Sequence, residues 1–444
     1  MAIIYTSKKI NVEEITKQIS MSSYKLHNLP SIDPLMEKIG DARFVLLGEA
    51  SHGTHEFYTW RTKITKRLIE EKGFNLIGVE GDWPDCYKIN RYIKDFSFSG
   101  NSAKDVLREF TRWPTWMWAN WEIVALVEWL KRFNSLTEAH KKVGFYGLDV
   151  YSLWESLDAI VKYIENKHPE ALDATKRAIK CFDPYSGGDE GNSYARATHL
   201  VPFSCREEVV NMLKEIRRNV RHYDGDREAA FCAEQNAVVA VNAEEFYRKM
   251  IHSGTESWNV RDHHMMDTLT RLMVFHGPES KAIIWEHNTH IGDARATDMA
   301  RQKMVNIGQL LREEHKEEDV FLTGFGTFQG TVIAAEDWSA PMEEMDVPEA
   351  LENSWEWLVH QSDPSDQLLL MDDLKKSESF GIPINHRAIG VVYHPEKEKY
   401  GNYVPSIIEE RYDAFLHCDR TSALHPLHIK PDGHLMPATY PFEE

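Results

Sequence analysis

Long apolar runs are missing from this chain of 444 residues. No stretch approaches the roughly 20 residues that cross a bilayer, and the start, Met1-Ala-Ile-Ile-Tyr before Thr-Ser-Lys-Lys, is too short an apolar run for a signal peptide. Cysteine is scarce. Cys86, Cys181, Cys205, Cys232 and Cys418 are odd in number, scattered, and contain no Cys-x-x-Cys pair, which argues against a disulfide framework and against a cysteine-built zinc site. A reducing cytoplasm is therefore the expected location. Positive charge is short as well: 51 Lys plus Arg face 70 Asp plus Glu, a formal net charge of -19 and a pI near 5.6. Such a surface repels phosphate backbones and anionic lipid, and no local basic patch offsets it, so neither nucleic acid nor membrane is an expected partner. There is no Gly-x-Ser-x-Gly elbow, no His-Glu-x-x-His run and no internal repeat.

What the chain does have is a globular balance, 42% hydrophobic and 27% charged residues, enough for a large buried core. Short apolar runs bounded by turn residues read as buried parallel strands at Phe44 to Leu47, Leu76 to Val79, Val143 to Leu148, Ala282 to Trp285, Val320 to Thr323 and Ala388 to Tyr393. Between the first two, a stripe of Phe57, Trp60, Ile64 and Leu68 predicts a helix from about Thr54 to Lys72 that stops at Gly73, which makes a βαβ unit. From Tyr151 to about Phe275 the pattern changes to long amphipathic helices, with Asp183 to Asn192 as the most evident loop. The expected architecture is α/β, a mostly parallel central sheet flanked by helices. Residues 1–150 and 276–444 supply the α/β core, and 151–275 form an all-helical insertion that walls the substrate site.

Four of these strands end in ionisable or polar groups: Gly48-Glu49-Ala50-Ser51-His52-Gly53, Val79-Glu80-Gly81-Asp82, Gly147-Leu148-Asp149, and Trp285-Glu286-His287-Asn288-Thr289-His290. Ligands of open α/β sheets bind beyond the carboxyl ends of strands. A neutral imidazole at His52 can take a proton from water near neutral pH, with a carboxylate on its other ring nitrogen fixing the tautomer. Glu49, Glu80, His287 and His290 are the candidates for orienting that water and its protons. Ser51 is the rival nucleophile, although a serine between strand and helix is more often an N-cap. His52, His55, His287 and His290 could instead ligate a metal, so a metal-dependent hydrolase stays an alternative. Arg61, two turns into the helix, either pairs with a carboxylate or stabilises an oxyanion. Trp113 to Trp121 is dense in tryptophan and either packs the core or walls a bulky apolar substrate, and a catalytically silent binding protein would use the same wall. Trp83, Trp116, Asp149 and Asn288 are the substrate-binding candidates.

At these residues the chain resembles the erythromycin esterase-like family. The likeness rests on Gly48 to Gly53, Glu80-Gly81-Asp82-Trp83-Pro84, Trp113 to Trp118, Gly147-Leu148-Asp149, Arg261-Asp262, Trp285 to Arg295, Asn306 to Leu311, Phe325-Gly326-Thr327 with Gly330-Thr331-Val332, and Gly390 to Tyr393, and it spans about Arg43 to Leu427. It is closer to the branch labelled succinoglycan-biosynthesis-like, with Asp267 where an asparagine is expected. The resemblance implies hydrolysis of a carboxylic ester or lactone, in the family that of macrolide antibiotics and hence antibiotic resistance, by water activated at a histidine without metal or other cofactor. That histidine corresponds to His52, the supporting carboxylates to Glu49 and Glu80, the arginine to Arg61 and the later histidines to His287 and His290. The expected partner is a small-molecule ester.

Overall fold

The computed structural model describes residues 10–96, 100–167, 172–186, 192–200, 204–220, 226–375 and 380–428. The chain divides into two compact units. The first comprises Met1–Gly78, Arg91–Gly144 and Pro278–Glu444, and the second Val79–Asn90 and Phe145–Gly277. The second unit is thus wider than a single 151–275 insertion, since it also takes the segment 79–90 and the strand before Val150.

The strands in chain order are β1 (Ser23–Lys25), β2 (Phe44–Leu47), β3 (Leu76–Asp82), β4 (Gly144–Asp149), β5 (Ala282–Trp285), β6 (Val320–Ala335), β7 (Met342–Val347), β8 (Gln367–Leu370), β9 (Ile384–Arg387), β10 (Tyr403–Ser406) and β11 (Ala414–Thr421). In the first unit the sheet order is β1-β8-β11-β6-β2-β5-β3, with β7 along β6. The centre is parallel, β11 on β6, β6 on β2 and β2 on β5, whereas β8 runs antiparallel to β11 and to β1. Antiparallel β9 and β10 form a separate ribbon. Every residue of β2 and β5 is buried, as strands covered on both faces require, and this is why they read as uninterrupted apolar runs.

Two expectations for strands need correction. β6 is 16 residues long and not four. The segment Ala388 to Tyr393 is not a strand; only single bridges tie Ile389 to Ser51 and Val392 to Ala335. After β2 the chain enters the helix His55–Lys72, which buries Phe57, Trp60, Ile64 and Leu68 and ends where Gly73 takes a left-handed conformation (φ 71°). Because β2 lies between β5 on one side and β6 on the other, the ends of β2 and β5 meet where the connections diverge, the position at which sheets of this class open a crevice.

The second unit holds Val79–Asp82 of β3 beside β4, followed by helices that include Leu153–Lys167, Arg206–Val220, Arg227–Met250 and Gly254–His276. They close over a core of Leu157, Ile160, Val209, Met212, Ile216, Ala240 and Phe246, the apolar stripes that the sequence shows at helical spacing. Cys181 and Cys205 form a disulfide within this unit, a single bond where the scatter of the cysteines argued against a disulfide framework. Part of the anticipated Asp183 to Asn192 loop, residues 187–191, lies outside the described residues. No described helix is long and apolar enough to cross a membrane.

Candidate active site

In the first unit, β2 delivers Glu49 and His52 into a tight loop. The loop depends on Gly48 and Gly53, where a Cβ would collide with the Asn288 side chain and with the backbone of Ile333, respectively. His52 Nδ1 lies 2.9 Å from Glu49 Oε1, and the other oxygen of that carboxylate accepts from Arg61 at 2.6 Å. Both Glu49 and His52 are buried. A carboxylate can only accept at neutral pH, so it holds the proton on Nδ1 and makes Nε2 the basic nitrogen of the ring.

Arg61 resolves into the ion-pairing alternative. It is 0% exposed, with its guanidinium 4.4 Å from the Tyr58 ring centroid and 4.6 Å from that of Trp285. Sandwiched in this way, it fixes the charge and position of Glu49 and has no face open to solvent.

From the end of β5, His287 places its ring 5.0 Å from that of His52. Its Nδ1 accepts from the backbone N–H of Thr289 at 3.2 Å and bonds the Thr289 hydroxyl at 2.8 Å. An accepting Nδ1 puts the ring proton on Nε2, so His287 is a donor where His52 is an acceptor. His290 follows one turn later, buried, its N–H bonded to His287 O. The structure thus brings Glu49, His52, Arg61 and His287 together.

Other candidates are engaged in packing. Asn288 is fully buried; its side-chain amide donates to Phe325 O at 2.6 Å and its carbonyl accepts from Phe325 N–H at 3.1 Å, a clamp between β5 and β6. Trp116 is 0% exposed and stands edge-on to Trp113. The tryptophan-rich segment therefore follows its core-packing reading at this residue. Ser51 is buried with its hydroxyl on Thr54, and its bonds among the described residues include no imidazole, which removes the activation a serine nucleophile needs. His55 does not join His52; its Nδ1 bonds Glu122 Oε1 at 2.6 Å, so the four-histidine ligand set that the sequence allowed is not assembled.

The second unit carries its own carboxylate cluster. Arg261 grips Asp149 through Nε at 2.9 Å and through a terminal nitrogen at 2.6 Å, and reaches Glu80 Oε1 at 2.6 Å. Burial pushes the Asp149 carboxyl up, but the guanidinium outweighs it and holds the group below its ordinary range. Glu80 and Asp149 are therefore charged partners of Arg261, a residue that sequence reasoning met only as part of a motif. Its place opposite two strand-end carboxylates left no local signal. Trp83 is buried in the same unit, stacked on Tyr146 with its indole N–H on Cys232 Sγ at 3.4 Å.

A family model described as erythromycin esterase matches residues 69–421, most of the chain, and the protein belongs to that family. The match begins inside the helix that follows His52, so the Glu49–His52 pair rests on the strand-end motif and on its geometry. Among characterised proteins, the chain is similar to erythromycin esterase type II of Escherichia coli, 22% identical over 285 residues. That similarity covers 60% of this chain and 64% of the relative, less than two thirds of its length. Among solved structures, a succinoglycan biosynthesis protein superposes with a TM-score of 0.73 at 20% identity, covering 94% of this chain and 99% of the other. A Bacillus cereus protein reaches 0.75 at 19% identity over the same shares. A mutant of the erythromycin esterase EreC in an open conformation gives 0.65 at 16% identity, covering 90% of this chain and 97% of that one. These likenesses bear out the α/β architecture and the mostly parallel sheet.

Proposed function

We propose that this protein hydrolyses a carboxylic ester or lactone with water activated by His52. The observation that carries the reading is the Glu49 Oε1–His52 Nδ1 bond of 2.9 Å, which leaves Nε2 as the base. Membership of the erythromycin esterase family supports the reaction class.

A water molecule gives its proton to His52 Nε2 as its oxygen bonds the carbonyl carbon, and Glu49 stabilises the imidazolium that forms. His287, with its proton on Nε2, can donate to the oxygen that gains charge. When the tetrahedral intermediate collapses, the carbon–oxygen bond to the leaving group breaks. The imidazolium returns its proton to the departing alkoxide, so one water and one ester become an acid and an alcohol. Arg61 acts only through Glu49.

The substrate is a bulky ester, of the macrolide type or another. Identity to the named esterase is only 22%, and specificity resides in the walls of a site and not in its shared chemistry. Measuring kcat/KM for a macrolide lactone beside simple and bulky esters tests this. Turnover of some ester, abolished in His52→Ala, is expected; an intact, folded protein inert to the whole panel would refute it.

A further inference from the structure

Glu122 is 0% exposed, yet its charged partners differ from those of Glu49, Asp149 and Glu398. Glu49 has Arg61, Asp149 has Arg261 and Glu398 has Arg387. Among the described residues, its ion-pair partners are imidazoles, His55 Nδ1 at 2.6 Å and His425 Nδ1 at 2.7 Å, both on Oε1, while Oε2 accepts from the backbone N–H of His425 at 3.5 Å. Glu122 therefore has no guanidinium or ammonium partner among the described residues, and a buried carboxylate of that kind suits a further cation. The carboxylates of Glu56 and Glu344 also act on His425 and add negative charge to the surroundings.

We propose that His55, Glu122 and His425 form a structural binding site for a divalent transition ion of the zinc type. One potential ligand atom from each residue lies within 4.8 Å of the other two, and this is the single such cluster of His, Cys, Asp or Glu among the described residues. Two imidazole nitrogens and one carboxylate oxygen suit zinc and its neighbours, and suit magnesium or calcium poorly. Ligands of one tetrahedral zinc stand about 3.3 Å apart, given bonds of about 2.0–2.1 Å. Replacing the imidazole protons by the ion therefore requires each of the two imidazole nitrogens, now 2.6 and 2.7 Å from Glu122 Oε1, to move off that oxygen by about 0.6 Å, within reach of side-chain torsions. The His425 side chain is 40% exposed and that of His55 13%, so the cluster opens on one side, where water can complete the coordination. The start of a helix disfavours a cation, and both His55 and Glu122 lie in a first turn; the effect is weak and local beside a charged ligand.

The site has a task in the fold. His425 belongs to the segment after β11, which crosses two helix starts: the N–H of His55 bonds Ser422 O at 2.9 Å, the N–H of Trp121 bonds His425 O at 3.0 Å, and the N–H of Leu427 bonds Ala119 O at 2.8 Å. An ion shared by His55, Glu122 and His425 would clip that segment to both helices and stabilise the folded state by mass action.

The test uses the full-length protein stripped with a chelator, loaded with zinc chloride and desalted. One zinc per chain by elemental analysis is expected, with a rise in Tm of several degrees. The partly exposed His425→Asn, which leaves the core intact, should fold and retain less than a tenth of that zinc with no rise; His55→Asn should behave alike. No retained zinc in the wild type, or retention by either variant equal to that of the wild type, overturns the proposal. Zinc retained by His425→Asn but lost from His52→Ala overturns it too, moving the ion to the site of proton transfer. Occupancy is read without ester turnover, so failure here leaves the hydrolase reading standing.

Discussion

Arg61 donates to Glu49 at 2.6 Å from a position with no solvent exposure, and Glu49 in turn holds His52 at 2.9 Å. A buried guanidinium is thereby linked to the imidazole through one carboxylate. Removing Arg61 leaves Glu49 buried without its cation, and the carboxyl then takes up a proton and releases the imidazole. Arg61→Met should lower unfolding free energy by about 3 kcal/mol and kcat by about a hundredfold, while KM changes little. The acid limb of the kcat profile should move as well, which lost packing alone would not do. A variant that loses stability but keeps the wild-type kcat and pH profile would show that Arg61 has no part in the proton transfer.

Glu49→Gln separates geometry from charge. The amide is nearly isosteric and can still meet Nδ1, but it cannot stabilise an imidazolium and it can present an N–H that reverses the tautomer. We expect kcat to fall by about 10²–10⁴ with the far-ultraviolet spectrum unchanged. His52→Ala should fall at least as far. If either variant keeps more than about a tenth of wild-type kcat, well above the loss expected for a general base, His52 is not the base.

Much of this arrangement was legible because its signals are local. β2 and β5 lie at their anticipated bounds, since continuous apolar runs are what strands buried on both faces require. Glu49, His52 and His287 sit at strand ends that could be read residue by residue. β6 was cut short because Gly324 and Gly326 interrupt its apolar pattern; there a side chain would collide with the rings of Tyr412 and Phe415. Pairings across long separations carry no comparable signal. His425 and Glu122 are 303 residues apart, Arg261 and Asp149 112, and nothing in either neighbourhood announces the other. The Cys181–Cys205 bond, at a separation of 24, was hidden among five scattered cysteines.

Chelation separates the two roles proposed for histidines in the first unit. If His52 moves protons and His55 with His425 holds a structural ion, dialysis against a chelator should leave kcat at 25 °C within about twofold, since proton transfer by His52 requires no Lewis acid. Resistance to heat should fall instead, and zinc should restore it. Turnover that disappears with the metal and returns with it would favour a metal-dependent hydrolase.

A pH-dependent loss of stability should originate in the second unit at His264. Its ring is 1% exposed, Nδ1 lies 2.8 Å from the Asn242 amide nitrogen, and Nε2 faces Thr268 Oγ1 at 3.4 Å, an arrangement that suits a neutral ring. Burial pushes its pKa from 6.5 down to about 4, and the Asp149 carboxylate offsets only part of that. Because the folded value is depressed, the unfolded chain binds a proton between these two values that the native state refuses. Acid therefore favours unfolding. The contribution is complete above pH 6.5 and is lost as the pH falls towards about 4, a total of about 3 kcal/mol. Urea unfolding of the wild type and of His264→Gln, each at about pH 7.5 and about pH 4.5, isolates the term, since other titrating groups act on both proteins alike. The wild type should lose about 2–3 kcal/mol more than the variant over that interval. Equal losses would mean that His264 titrates normally in the folded protein.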